Sequence, residues 1–190
     1  MNDWPPAAEL SVDSNVFLHM WSRDARFNPD GHIGVLLEAL AARGTRLCID
    51  SQMVIREEYQ RIVEPYLFKD WQIGGELETL RYWMHPDNQE EVDISACREL
   101  LQKIKTVIVE RARVDRTFVC VAFSRGRPLV TNDDRQIITG SKTEAGKKGA
   151  RRERLMKSTQ KIRADGAEIL TSAEAYQRMG RTDGEADLQD

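Results

Sequence analysis

Cysteine, histidine and long apolar runs are all scarce in this sequence, and each scarcity removes a class of chemistry. Three cysteines occur in 190 residues. Cys48, Cys97 and Cys120 are odd in number, sit among apolar neighbours and form no CxxC or His/Cys pair. That pattern argues for buried reduced thiols and against a disulfide framework or a zinc site. The three histidines, His19, His32 and His85, show no metal-ligand spacing with one another and read as structural or surface residues. No apolar run approaches the roughly 18 residues of a membrane span. The opening "MNDWPPAAEL" has an acid and two prolines where a secretory signal would carry basic residues and an apolar stretch, so a cytoplasmic location is expected. There is no P-loop, GxGxxG or GxSxG. Ser11, Ser14 and Ser51 are better explained as strand or cap residues than as nucleophiles.

What the chain does have is an ordinary globular composition, 41% hydrophobic and 31% charged, with an uneven spread of charge. Nine basic residues against two acidic ones fall between positions 142 and 163, a local balance of +7. The whole chain carries −3, so the remainder carries −10. A charge run is often no more than a solvated helix face. An acidic body with one basic arm also suits a phosphate-binding protein with a cation-binding pocket. The expected organisation is a single domain over 1–179, with an irregular or helical insertion at 64–94, a basic arm at 141–165 and a disordered acidic tail at 180–190.

Short apolar runs read as strands: "LSV" (10–12), "RLCI" (46–49), "PLVT" (128–131) and "EIL" (168–170), with a further short strand entertained near "RYWM". Helical periodicity runs through "HIGVLLEALAARG" ending at Gly44, "SQMVIREEYQRIV" opening at Ser51 as its cap, "DISACRELLQKI", and "DRTFVCVAFSRG" ending at Gly126. The stretch "TVIVERAR" (106–113) fits strand or helix equally. Strands alternating with helices predict an α/β class, a three-layer α/β/α sandwich around a mainly parallel sheet of four or five strands.

Ligands of such sheets bind beyond the carboxyl ends of the strands, which draws attention to acids placed there. Asp13 follows "LSV" and Asp133 follows "PLVTN". On the helix after the second strand, the apolar stripe centres about 100° from Val54; Glu58 lies about 60° from that centre and Glu57 about 160°. Glu58 therefore faces inward, although a glutamate at the edge of a stripe can simply snorkel to water. Asp115 opens an apolar helix, where a helix dipole alone would explain an acid. Four clustered carboxylates repel unless cations hold them, and oxygen donors without histidine or thiolate favour Mg²⁺ or Mn²⁺.

In "VDSNVFL", the "EEY" helix, "VDRTFVCVAFSRGRPLVTNDD" and the closing "AEILTSAEAY", taken in that order over residues 9–176, the chain resembles a PIN domain, a nuclease family built around a small acidic metal site. The resemblance implies Asp13, Glu58, Asp115 and Asp133 as metal ligands, with Asp134 able to assist. It implies Asn15 as support for the first aspartate, and Thr131 and Asn132 as shapers of the turn before the last. The implied activity is Mg²⁺- or Mn²⁺-dependent endonucleolytic hydrolysis, of RNA more than DNA, giving a 5′-phosphate and a 3′-hydroxyl. Implied partners are nucleic acid and either an antitoxin-type protein inhibitor or a second copy of the chain. Charge alone, not the family pattern, nominates Lys147, Lys148, Arg151 and Arg152 for phosphate contacts. The alternatives are a catalytically inactive PIN-like scaffold that binds RNA or a protein, and a phosphatase or receiver domain. The phosphatase wants a second aspartate where Asn15 stands, and the receiver wants paired acids on an early strand.

Overall fold

A computed structural model describes residues 9–21, 28, 31–68, 75–95, 97–105, 113–132, 153–154, 156–157, 160 and 168–186. Asp133, Asp134, Lys147, Lys148, Arg151 and Arg152 lie outside these residues, as do most of the basic arm and the 106–112 stretch. Five strands, β1 (Glu9–Val12), β2 (Arg46–Asp50), β3 (Gln89–Val92), β4 (Leu129–Val130) and β5 (Ile169–Leu170), form one sheet in the order β3-β2-β1-β4-β5. Every pairing is parallel. Accompanying them are the α-helices α1 (Ser14–Met20), α2 (His32–Ala42), α3 (Val54–Ile62), α4 (Gly75–Met84), α5 (Arg98–Lys105), α6 (Arg113–Arg125) and α7 (Ser172–Ala186), with short 3-10 helices at Glu64–Phe68 and Pro86–Asn88. The chain steps from β1 to β3 in one direction and returns to β4 and β5 in the other. Right-handed crossovers then place α1, α2 and α4 on one face and α5 and α6 on the opposite one. The α/β sandwich expected from the alternating pattern is what forms.

Burial explains each element. Leu10, Val12, Leu47, Leu129, Val130 and Ile169 are essentially inaccessible, as befits strands covered on both faces. Helix α6 runs across β1 to β4, and its stretch from Phe118 to Phe123 is wholly buried. On the other side Phe17 of α1 meets Tyr59 edge-on at 5.7 Å and Trp83 at 6.3 Å, binding α1, α3 and α4 into one core. The Trp83 indole N–H donates to Leu37 O, so the largest buried side chain leaves no polar atom unpaired. Gly126 closes α6 at φ +64°, a conformation that costs any L side chain, and lets the chain turn straight into β4.

Several expectations need correction. "RYWM" is the last turn of α4; Leu80, Trp83 and Met84 pack inward at helical spacing, which short windows cannot distinguish from a strand. The strand in that region is β3, "QEEV", missed because it is an edge strand whose exposed positions are acidic. Ser51 is exposed and does not cap α3. The N-cap position is Met53, which makes no side-chain cap bond, and the capping falls to Asp50, whose two carboxylate oxygens accept the Val54 and Ile55 N–H groups at 3.0 and 2.7 Å. Helix α7 continues past Gly180 to Ala186, where a tail was expected to begin. It starts from a reciprocal capping box between Thr171 and Glu174 and is anchored by buried Ala175 and Met179, so the polar continuation propagates from a firm nucleus.

Candidate functional site

The sheet's direction of travel reverses between β1 and β4, so their carboxyl ends flank a crevice of the kind in which α/β proteins bind ligands. Asp13 stands there. Its N–H donates to Val130 O at 2.9 Å, which fixes its backbone, and its side chain caps α1 by accepting from Asn15 N at 3.3 Å. Oδ2 takes two shorter bonds, from Asn15 Nδ2 at 2.9 Å and Thr131 Oγ1 at 2.8 Å. Oδ1 takes the two long ones, from Asn15 N and from Ser14 Oγ at 3.4 Å. Asp13 is 5% exposed.

Glu58 reaches the same place from α3. Ser14 Oγ lies 3.4 Å from Glu58 Oε1 as well, so one hydroxyl stands between the two carboxylates. A hydroxyl has a single proton and can serve only one of them at a time. Oxygens each 3.4 Å from one atom are less than about 7 Å apart, close enough for the charges to repel. The other oxygen of Glu58 accepts from Arg61 Nη2 at 2.6 Å, but the Arg61 side chain is 70% exposed, and such a pair contributes only about 0–1 kcal/mol. Glu57 faces solvent, as its place on the helix requires.

Tyr59 records the local field. Its hydroxyl donates to Val12 O, and its pKa is pushed well above the usual phenol value, by burial first and then by the charge of Asp13, with Cys48, Glu58 and Asp50 adding to it. Asp50 is the residue that sequence reasoning missed, although the rule that selected Asp13, an acid directly after a buried strand, selects it too. It is fully buried with both oxygens committed to α3, so it orients the helix that carries Glu58.

Asp115 lies in the first turn of α6 and is half-buried. The last turn of that helix binds Glu9 and Glu90 near the amino ends of β1 and β3 through Arg125. Ten residues at about 1.5 Å each carry the helix back by about 15 Å, toward the carboxyl end. Phe118, one turn beyond Asp115, is 5.9 Å from the Tyr59 ring. Among the described residues, however, no three His, Cys, Asp or Glu side chains come close enough together to hold a metal ion. The structure thus gathers Asp13 and Glu58 with Ser14, Asn15 and Thr131, and places Asp115 toward the same end of the sheet.

Asn15 and Asn132 tie the crevice together. Asn132 N–H donates to Asn15 Oδ1 at 3.0 Å, and Asn132 Oδ1 accepts from Ser172 N at 3.0 Å. Asn132 Nδ2 is buried without a hydrogen-bond partner among the described residues, an arrangement that costs about 1–3 kcal/mol. The three cysteines are unpaired as disulfides; Cys48 and Cys120 are buried, and Cys97 is half-buried with its sulfur 2.7 Å from Ser124 Oγ. Among the described residues no helix is long and apolar enough to cross a membrane.

No protein-family profile matches the chain, and no curated protein matches it. Among solved structures, the crystal structure of VapBC2 from Rickettsia felis bound to a DNA fragment from their promoter is similar at a TM-score of 0.41 and 15% sequence identity, over 86% of this chain and 98% of that chain.

Proposed function

We propose that the protein is a metal-dependent endonuclease, acting on RNA in preference to DNA, with Mg²⁺ or Mn²⁺ held at the carboxyl ends of β1 and β4. The observation that carries this reading is the meeting of Asp13 and Glu58 across the Ser14 hydroxyl in the switch-point crevice. Two like charges brought together in a largely buried site are stabilised by a divalent cation, and the donors there are hard oxygens. Asp13 and Glu58, two carboxylates brought to one crevice, fit that role. Asp115 and Asp133, with Asp134 in support, are assigned the remaining ligand positions.

When bound, such a cation activates water and stabilises charge on a phosphodiester's leaving oxygen. The chain's own contribution is placement. Asp13 is held at a fixed angle by Asn15 and Thr131, Glu58 is presented on a helix anchored by Asp50, and Tyr59 stays protonated against the strand. Lys147, Lys148, Arg151 and Arg152 are assigned to the substrate's phosphates, offsetting the repulsion between an acidic pocket and a polyanion. An antitoxin-type inhibitor or a second copy of the chain is the corresponding protein partner.

The Arg61–Glu58 ion pair favours one other reading, a scaffold that binds RNA or a protein without cleaving. Purified protein incubated with single-stranded RNA and Mn²⁺ beside Asp13→Asn separates the two. Cleavage by the parent and not by the variant supports the nuclease. RNA binding without cleavage in both, together with no Mn²⁺-induced rise in melting temperature, supports the scaffold.

A further inference from the structure

The hydrogen bonds around Asp13 continue well beyond it. Asn15 leads to Asn132, Asn132 Oδ1 accepts from Ser172 N, and Ser172 Oγ lies 2.9 Å from His32 Nε2. The chain of contacts joins the ends of β1, β4 and β5 to the first residue of α2. Its outer members are as buried as core residues: His32 is 5% exposed, Ser172 1% and Asn132 9%. His32 is also packed on the Tyr176 ring of α7 at 5.8 Å.

The direction of this relay is fixed by its backbone members. A backbone N–H can only donate, so the atom of Asn132 facing Ser172 N is its oxygen, and the atom of Asn15 facing Asn132 N is likewise its oxygen. Asn15 must then turn its amino group to Asp13 Oδ2 and Thr131 Oγ1, where it is found. Neither amide can flip without opposing like groups. The orientation of the Asp13 carboxylate is in this way coupled to the seat of the loop after β5, and that seat is pinned by His32.

The geometry points to His32 and Ser172 as positioning residues for the Asp13 site, acting through Asn132 and Asn15. The role rests on the reading of Asp13 as a cation-binding group. Groups hydrogen-bonded directly to metal ligands typically change metal affinity by about 10–100-fold when lost, and His32 and Ser172, further along the relay, are expected at the low end of that range.

The test compares His32→Leu, His32→Gln and Ser172→Ala, with Ile33→Val as a control that weakens α2 packing but keeps the relay. Mn²⁺ affinity is measured by titration, melting temperature by calorimetry, and hydrogen exchange at the Asn132 amide by NMR. Expected is an about 10-fold loss of Mn²⁺ affinity in His32→Leu. Recovery to within about 3-fold is expected in His32→Gln, which can again hydrogen-bond Ser172. Faster Asn132 exchange should accompany the loss, with parental affinity in Ile33→Val. Parental affinity and exchange in folded His32→Leu, or an equal affinity loss in Ile33→Val, overturns the proposal. If His32→Leu does not fold, Ser172→Ala is read by the same criteria. If the parent itself binds no Mn²⁺, the cation reading fails, and the relay stands or falls on whether Asn132 exchange speeds up in the variants.

Discussion

The two ends of β1 each carry a buried acid, and they are treated in opposite ways. Glu9, at the amino end, meets guanidiniums: Arg125 grips it through two nitrogens at 2.7 and 3.1 Å, while Arg46 and Arg127 approach within 3.8 and 3.6 Å. Glu90 on β3 shares Arg46 and Arg125. Asp13, just past the carboxyl end, is oriented by hydroxyls and amides from Ser14, Asn15 and Thr131, with a second carboxylate beside it. Guanidinium neutralises a carboxylate and clamps strands; neutral donors orient one and leave its charge in place. Among the described residues, guanidiniums clamp the acid at the amino end, while hydroxyl and amide donors orient Asp13 at the carboxyl end.

The comparison can be broken most sharply at Asp13. Asp13→Asn keeps the shape and removes the charge. It is expected to lower Mn²⁺-dependent cleavage by about 100-fold or more, with a modest fall in melting temperature, because the new amino group must face donors that point at the carboxylate. A cleavage assay beside a thermal melt checks both. At the other end, Glu9→Gln is expected to destabilise the fold by about 1–3 kcal/mol, less than a fully buried pair because its arginines are 38–43% exposed. Urea unfolding should show the loss, with Mn²⁺ affinity unchanged. A fall in affinity would mean that the two ends are not independent.

Asp50→Ala tests the link between stability and site. Losing the α3 cap should cost about 1–2 kcal/mol and also weaken Mn²⁺ binding, since the helix it anchors carries Glu58. Alkaline pH probes the core between the two ends. Burial pushes the thiols of Cys48 and Cys120 up to about 12 from an ordinary 9.0, with Glu9 adding at Cys48 and Cys97 at Cys120. A pKa raised in the folded state contributes stability that is intact below the ordinary value and lost as pH climbs toward the raised one. Urea midpoints should therefore decline between pH 9 and 12, and alkylation of these thiols should require unfolding. The smallest effect belongs to Glu57→Gln, a solvent-facing change expected to alter neither stability nor metal affinity, where Glu58→Gln alters the latter.

The inward position of Glu58 was legible because helical angle depends only on local spacing, and Asp13 because an acid after a short apolar run has few places to go. Asp50 was equally legible by that rule. Its service as a cap was not, since the residues between it and α3 include Met53 at φ +66°, a left-handed turn with no sequence signal. The strand β3 was hidden for a related reason: an edge strand with Gln89, Glu90 and Glu91 owes its pairing to β2, not to its own hydrophobicity.

The sequence by itself determined the class of the fold, four of its five strands and the inward side of α3, because hydrophobic periodicity and turn residues act over neighbouring positions. Only the tertiary structure decided that Ser14 would stand between Asp13 and Glu58, that Asn15 would meet Asn132, and that His32 would reach Ser172 140 residues away. Those contacts depend on strand order and on the register of β1 against β4, and a parallel sheet sets these through crossovers that no local pattern records.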